Sequence, residues 1–89
     1  MASEREILAF VARVEADEAL IVGVHLDTDS PLAPRLLARF KDQGRDDPPP
    51  ALRCDPWDVR SLVARGHLSQ RGPLIGITEA GRRYLGGPP

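Results

Sequence analysis

Three side chains at alternate positions, His25, Asp27 and Asp29, form the nearest thing in this chain to a metal-ligand set. Residues two apart share a face of an extended segment, and an imidazole with two carboxylates suits a divalent ion. The competing reading is a turn. In Asp27-Thr28-Asp29-Ser30-Pro31 every residue is a turn former, and aspartates there bond the backbone ahead of them and cap the next element. That density of turn residues favours the turn over the metal. Cys54 could imitate a thiol–imidazole pair with His25 or His67, yet nothing in the sequence brings them together. As the single cysteine it excludes an intrachain disulfide or a thiolate cluster. Placed directly before Asp55, it reads as an apolar plug against Val59. There is no glycine-rich phosphate loop and no nucleophile motif. Neither metal, cofactor nor enzymatic activity is expected.

Cationic chemistry is the alternative, and apart from Lys41 it rests on arginine. The net charge of −1 argues against strong non-specific binding to nucleic acid, but the charge is uneven. Residues 1–50 hold 6 Lys+Arg against 10 Asp+Glu, a net of −4; residues 51–89 hold 6 against 3, a net of +3. The basic character therefore sits in the C-terminal part of the chain.

That part carries clear punctuation. Asp55 is a helix N-cap, Pro56 fits the first helical position, and Asp58 favours the positive end of the helix dipole. Trp57, Val59, Leu62 and Val63 supply an apolar stripe, and Gly66 ends the helix in a left-handed conformation. Residues 55–66 are thus a helix. Residues 67–77 then read as a hairpin, with Ser69-Gln70-Arg71-Gly72-Pro73 at its tip and Leu74-Ile75-Gly76-Ile77 returning. Thr78 caps a last helix over 78–85, whose inward face is Ala80, Tyr84 and Leu85; Gly86-Gly87-Pro88-Pro89 cannot continue it.

Upstream, Ser3 and Glu6 make a capping box for a helix to about Val14, with Ile7, Phe10, Val11 and Val14 buried. The apolar run 19–26 fits a buried strand by its β-branched residues, or a second helix; helix or irregular structure is the expectation. From Pro31 or Pro34 to Gln43 a helix is expected, with Leu32, Leu36, Leu37 and Phe40 inward and Arg35, Arg39 and Lys41 outward. Residues 44–54, with Pro48-Pro49-Pro50, read as an exposed, stiff linker.

Arg65-Gly66-His67-Leu68 followed by Ile77-Thr78-Glu79-Ala80-Gly81-Arg82-Arg83 resembles the end of a winged-helix domain in transcriptional regulators of the MarR and PadR kind. The resemblance covers roughly a third of the chain. It implies that helix 55–66 is a recognition helix, from which Arg60, Ser61 and Arg65 reach bases or phosphates of double-stranded DNA. It implies that Gln70 and Arg71 act from the wing, and that Arg82 and Arg83 add phosphate contacts. A homodimer would double that footprint. The departure is the join between the two central helices, about ten residues where a helix-turn-helix uses about three or four.

The expectation is a single domain over 1–89, mostly α with a small β-hairpin: a winged helix-turn-helix. Its expected role is a small DNA-binding transcriptional regulator. The alternative is a winged-helix module that binds a protein partner, favoured by the near-neutral charge and the long join. No apolar run is long enough for a membrane span and the start is acidic, unlike a signal peptide, so a cytoplasmic protein is expected.

Overall fold

The computed structural model describes residues 2–42 and 44–86, and the first helix follows the sequence closely. Helix α1 (Glu4–Glu15) opens on a complete capping box: Ser3 Oγ accepts from the Glu6 amide at 3.2 Å, and Glu6 Oε1 accepts from the Ser3 amide at 3.1 Å. Both bonds satisfy amides that a helix start otherwise leaves unpaired. Ile7, Leu8, Phe10, Val11 and Val14 form its buried stripe.

The middle of the chain is where expectation fails. Residues 19–26, expected as helix or irregular structure, contain strand β1 (Ile21–Asp27). The helix expected from Pro31 or Pro34 is strand β2 (Arg35–Phe40), and the last position of that expected helix, Gln43, lies outside the described residues. Within the supposed linker, Ala51–Arg53 form strand β3, paired to β2, and Cys54 is fully buried. The physical reason is a period that fits two answers. Leu36, Ala38 and Phe40 alternate with Arg35, Leu37 and Arg39 as a half-buried strand requires, while Leu36, Leu37 and Phe40 also satisfy a helical stripe. Pairing decides between them: β1 lies antiparallel to β2 from Ile21–Phe40 to Asp27–Arg35, and so fixes the extended form.

Beyond Cys54 the elements fall where the punctuation puts them. Helix α2 (Pro56–Ala64) has Asp55 as its cap, with Oδ1 accepting from the Trp57 amide at 2.8 Å. Gly66 follows at φ 81°, and the hairpin β4 (Leu68–Arg71) and β5 (Leu74–Ile77) turns at Gly72, φ 60°. Helix α3 (Glu79–Gly86) begins after Thr78, whose Oγ1 accepts from the Gly81 amide at 3.0 Å and donates to the carbonyls of Gly66 and His67. Residues 87–89 lie outside the described residues.

The five strands make one antiparallel sheet in the order β3-β2-β1-β5-β4. Among the described residues helix and strand are nearly balanced, 35% against 29%, so the fold is α+β and not mostly α. It is not a winged helix-turn-helix: the element before α2 is a strand, and the hairpin is joined through β5 to β1 as part of the sheet. No described helix is long and apolar enough to cross a membrane.

Residues opposite each other in an antiparallel ladder share a face, so the register sorts the sheet into two sides. Val24, Leu36, Ala38, Leu68 and Ile75 point to one side and join the buried residues of α1 with Val59 and Leu62 of α2 in one core. The other side carries the row Ala51–Leu37–His25–Leu74–Arg71, flanked by Arg53–Arg35–Asp27 and by Arg39–Gly23. None of these outer residues belongs to the core.

Candidate nucleic-acid interface

The seven residues expected to touch DNA do not form one surface. Arg60 and Ser61 lie on the outward side of α2 beside Trp57 and Ala64. Gln70 stands opposite Ile75, on the helix side of the sheet, and shares a shallow depression with Arg60 and Val63. Arg71 is on the other side of the sheet, where it lines a cleft together with Arg82, Glu15 and Glu18. Arg65 and Arg83 are engaged in ion pairs: Arg65 with Glu4 at 2.5 Å, Arg83 with Glu79 one turn away at 2.7 Å. The hydrogen bond to Glu4 raises the guanidinium pKa of Arg65, binding it further to its charged partner. Helix α2 opens on two acids, Asp55 at the cap and Asp58 in the first turn, while Arg60 makes no salt bridge among the described residues.

The outer sheet side is different. Every arginine in a strand, Arg35, Arg39, Arg53 and Arg71, lies on it, and Asp27 is the sole acid in any described strand. Asp27 does not oppose the arginines. Its carboxylate accepts from Ser30 Oγ at 2.5 Å, from Arg35 Nε at 2.8 Å, and from the amides of Asp29 and Ser30 at 3.2 Å. The Ser30 hydroxyl first, then the Arg35 guanidinium, hold its carboxyl well below the usual carboxylate range. Asp27 is thus committed to the β1–β2 turn and neutralises Arg35 alone. Arg39, Arg53 and Arg71 are exposed and make no salt bridge among the described residues. Between these charges run Leu37, His25 and Leu74, all half-buried.

His25 and Asp27 do share a face, as an extended segment requires, but the Asp27 oxygens are taken by the turn. Among the described residues no three His, Cys, Asp or Glu side chains are grouped to hold an ion. Cys54 is buried in the core with Val59, and burial pushes its thiol pKa up, away from thiolate chemistry.

Two aromatic expectations change. Trp57, assigned to the apolar stripe of its helix, is 72% exposed, and Val59 and Leu62 carry the burial instead. Tyr84, expected inward, is half out and lies edge-on to His67 at 4.9 Å with the Arg5 guanidinium 5.8 Å from its ring. Sequence reasoning does not single out Arg39 and Arg53, the exposed arginines of β2 and β3 on the outer sheet side. The alternation from Arg35 to Phe40 is the available signal, but Arg35 and Arg39 are spaced i, i+4 and share a face in helix and strand alike.

Compared with protein-family models, with curated proteins and with solved structures, the chain matches none.

Proposed function

We propose that this domain binds single-stranded nucleic acid across the open side of its sheet. The observation that carries the reading is the segregation of all four strand arginines onto the side of the sheet that faces away from the core, where the one strand carboxylate, Asp27, is already paired. Arginine suits the task twice over, since its guanidinium binds phosphate through a fork of donors and its plane stacks on bases. Leu37, His25 and Leu74 offer apolar and imidazole surface between the charges for base faces. Size favours a single strand over a duplex. Five strands about 4.8 Å apart make a face about 19 Å wide, whereas the major groove is about 12 Å wide and admits a helix or a two-stranded ribbon. The helix side favours a duplex less, because α2 begins on two acids, Asp55 and Asp58, and contributes Arg60 alone against them.

The test is fluorescence anisotropy with one labelled oligonucleotide, single-stranded and annealed, titrated from about 50 to 200 mM salt, where phosphate contacts weaken most. Preference for the single strand, with a log–log salt slope near 2 in magnitude from about three phosphate contacts, is the expected result. Equal or better binding of the duplex would overturn the assignment.

A second reading has its own observation. Trp57 stands out from α2 with Arg60, Ser61 and Ala64 along the same helix side. Tryptophan and arginine are residue types enriched at hot spots, which favours a protein partner seated on α2. Trp57→Ala abolishing capture of a purified partner, while oligonucleotide affinity holds, would separate this role from the first.

A further inference from the structure

Strands β1 and β5 pair only at Val24–Ile75 and His25–Leu74. Towards Ile21 and Ile77 they part, and a cleft of about 430 Å3 opens between them, within the range of small-ligand sites. Its walls carry two carboxylates, Glu15 and Glu18, and two guanidiniums, Arg71 and Arg82. Gly23 and Gly76 line it as well, with the Leu74 side chain close over Gly23 and the Ser69 hydroxyl close over Gly76.

Glu15 reaches into the parting from the end of α1, where its Oε2 accepts from the Ile77 amide at 2.9 Å in place of a strand partner. Its Oε1 lies 3.5 Å from where a side chain on Gly76 would begin, against the cleft wall. A hydrogen-bonded carboxylate and two arginines lining one cleft bring acceptors and donor forks to the same space. Arg71 also belongs to the row that crosses the open sheet side, so the cleft continues the basic face.

We infer that this cleft takes a guanine base. Guanine alone among the bases has adjacent N1–H and N2–H donors on one edge, which a carboxylate accepts together, and O6 and N7 acceptors on the other, which an arginine fork binds. Adenine and cytosine each offer an amino donor beside an acceptor that a carboxylate repels, and thymine offers one donor between two acceptors. In this arrangement Glu18 or the outer oxygen of Glu15 receives N1–H and N2–H, and Arg82 or Arg71 donates to O6 and N7. The inference deepens the single-strand reading and rests on it for the path of the flanking phosphates.

The experiment uses the whole chain, a short labelled oligothymidylate, and the same oligomer with one central guanine. The guanine is expected to raise affinity roughly tenfold or more, the scale of one good bidentate base contact. Replacing it with inosine, which lacks the N2 amino group, or with 7-deazaguanine, which lacks N7, should each remove most of that gain. E18Q should narrow the same ratio, and the two altered bases keep the test decisive should that variant fold poorly. Guanosine 5′-monophosphate alone forms the last arm. Equal affinity for both oligomers, with no binding of the monophosphate, overturns the guanine site and leaves the strand reading standing. Saturable monophosphate binding with no oligomer bound keeps the guanine site and overturns the strand reading.

Discussion

Asp27 Oδ2 and Arg35 Nε meet at 2.8 Å across the last ladder position of β1 and the first of β2, closing the turn that joins these strands. Around that pair Ser30 donates from both its hydroxyl and its amide to the same carboxylate. The arrangement stabilises the charged aspartate, and its pKa is lowered for that reason. A depressed folded-state pKa contributes stability that is present above the ordinary aspartate value of 3.8 and is lost as pH falls through the folded value. The melting temperature of the wild type should therefore decline below about pH 4. Asp27→Asn should melt lower at neutral pH and show a shallower acid decline. Parallel acid limbs for the two proteins would mean that another carboxylate governs acid sensitivity.

Thr78 joins three elements through one hydroxyl: it donates to the carbonyls of Gly66 at 2.6 Å and His67 at 3.0 Å and accepts from the Gly81 amide at 3.0 Å. An N-cap replaced by alanine costs about 0.5–2 kcal/mol. Here the loss should lie toward the upper end, since the carbonyls after α2 also lose a donor. Urea denaturation of Thr78→Ala should show a lower midpoint with an unchanged slope, and Thr78→Ser should restore most of it.

That cap belongs to the part of the chain whose structure is legible in the sequence. From Asp55 onward the signals are local: a cap, a proline at the first turn, glycines at φ 81° and 60°, a threonine before an acidic turn. Each residue dictates its own neighbourhood, so no distant partner is needed. Strands β1, β2 and β3 depend on pairing between residues well apart in the chain, and Leu36, Leu37 and Phe40 satisfy two periods at once. The arginine grouping proposed as an interface escapes sequence reasoning for the same reason. Arg39, Arg53 and Arg71 share one side of the sheet only through the register of four ladders, while Arg65 and Arg83 pair with Glu4 and Glu79 off the sheet.

Gly81 gives a test of packing against propensity. It is buried, and a Cβ built there would fall 2.2 Å from the His67 carbonyl oxygen. Alanine gains about 1 kcal/mol over glycine in a helix, but forcing an atom into a filled site typically costs about 1–3 kcal/mol, and here the obstacle is backbone. Overpacking should win. Gly81→Ala should lower the melting temperature, and an unchanged or higher value would show that α3 can shift away from β4 without loss.

Trp57 should behave in the opposite manner. A buried tryptophan cut to alanine costs about 3–5 kcal/mol, but this one is 72% exposed and Val59 and Leu62 carry the packing of α2. Trp57→Ala should change stability by about 0.5 kcal/mol or less, as surface substitutions do. A larger loss in denaturant would place the ring against the protein and withdraw it as an anchor for a partner.

The arginines themselves supply the sharpest comparison, because the fold divides them into two classes. Arg39, Arg53 and Arg71 stand unpaired on the open sheet side, whereas Arg65 and Arg83 are held by Glu4 and Glu79 on helices. Removing one phosphate-binding cation from a single-strand site should reduce the salt slope by about 0.7. Arg39→Ala, Arg53→Ala and Arg71→Ala should each lower the slope by that amount, additively where the sites are far apart. Arg65→Ala and Arg83→Ala should leave it unchanged, because those guanidiniums do not lie on the sheet. The reverse pattern, with slope lost at Arg65 and retained at Arg39 and Arg53, would move the bound strand from the sheet to the helices.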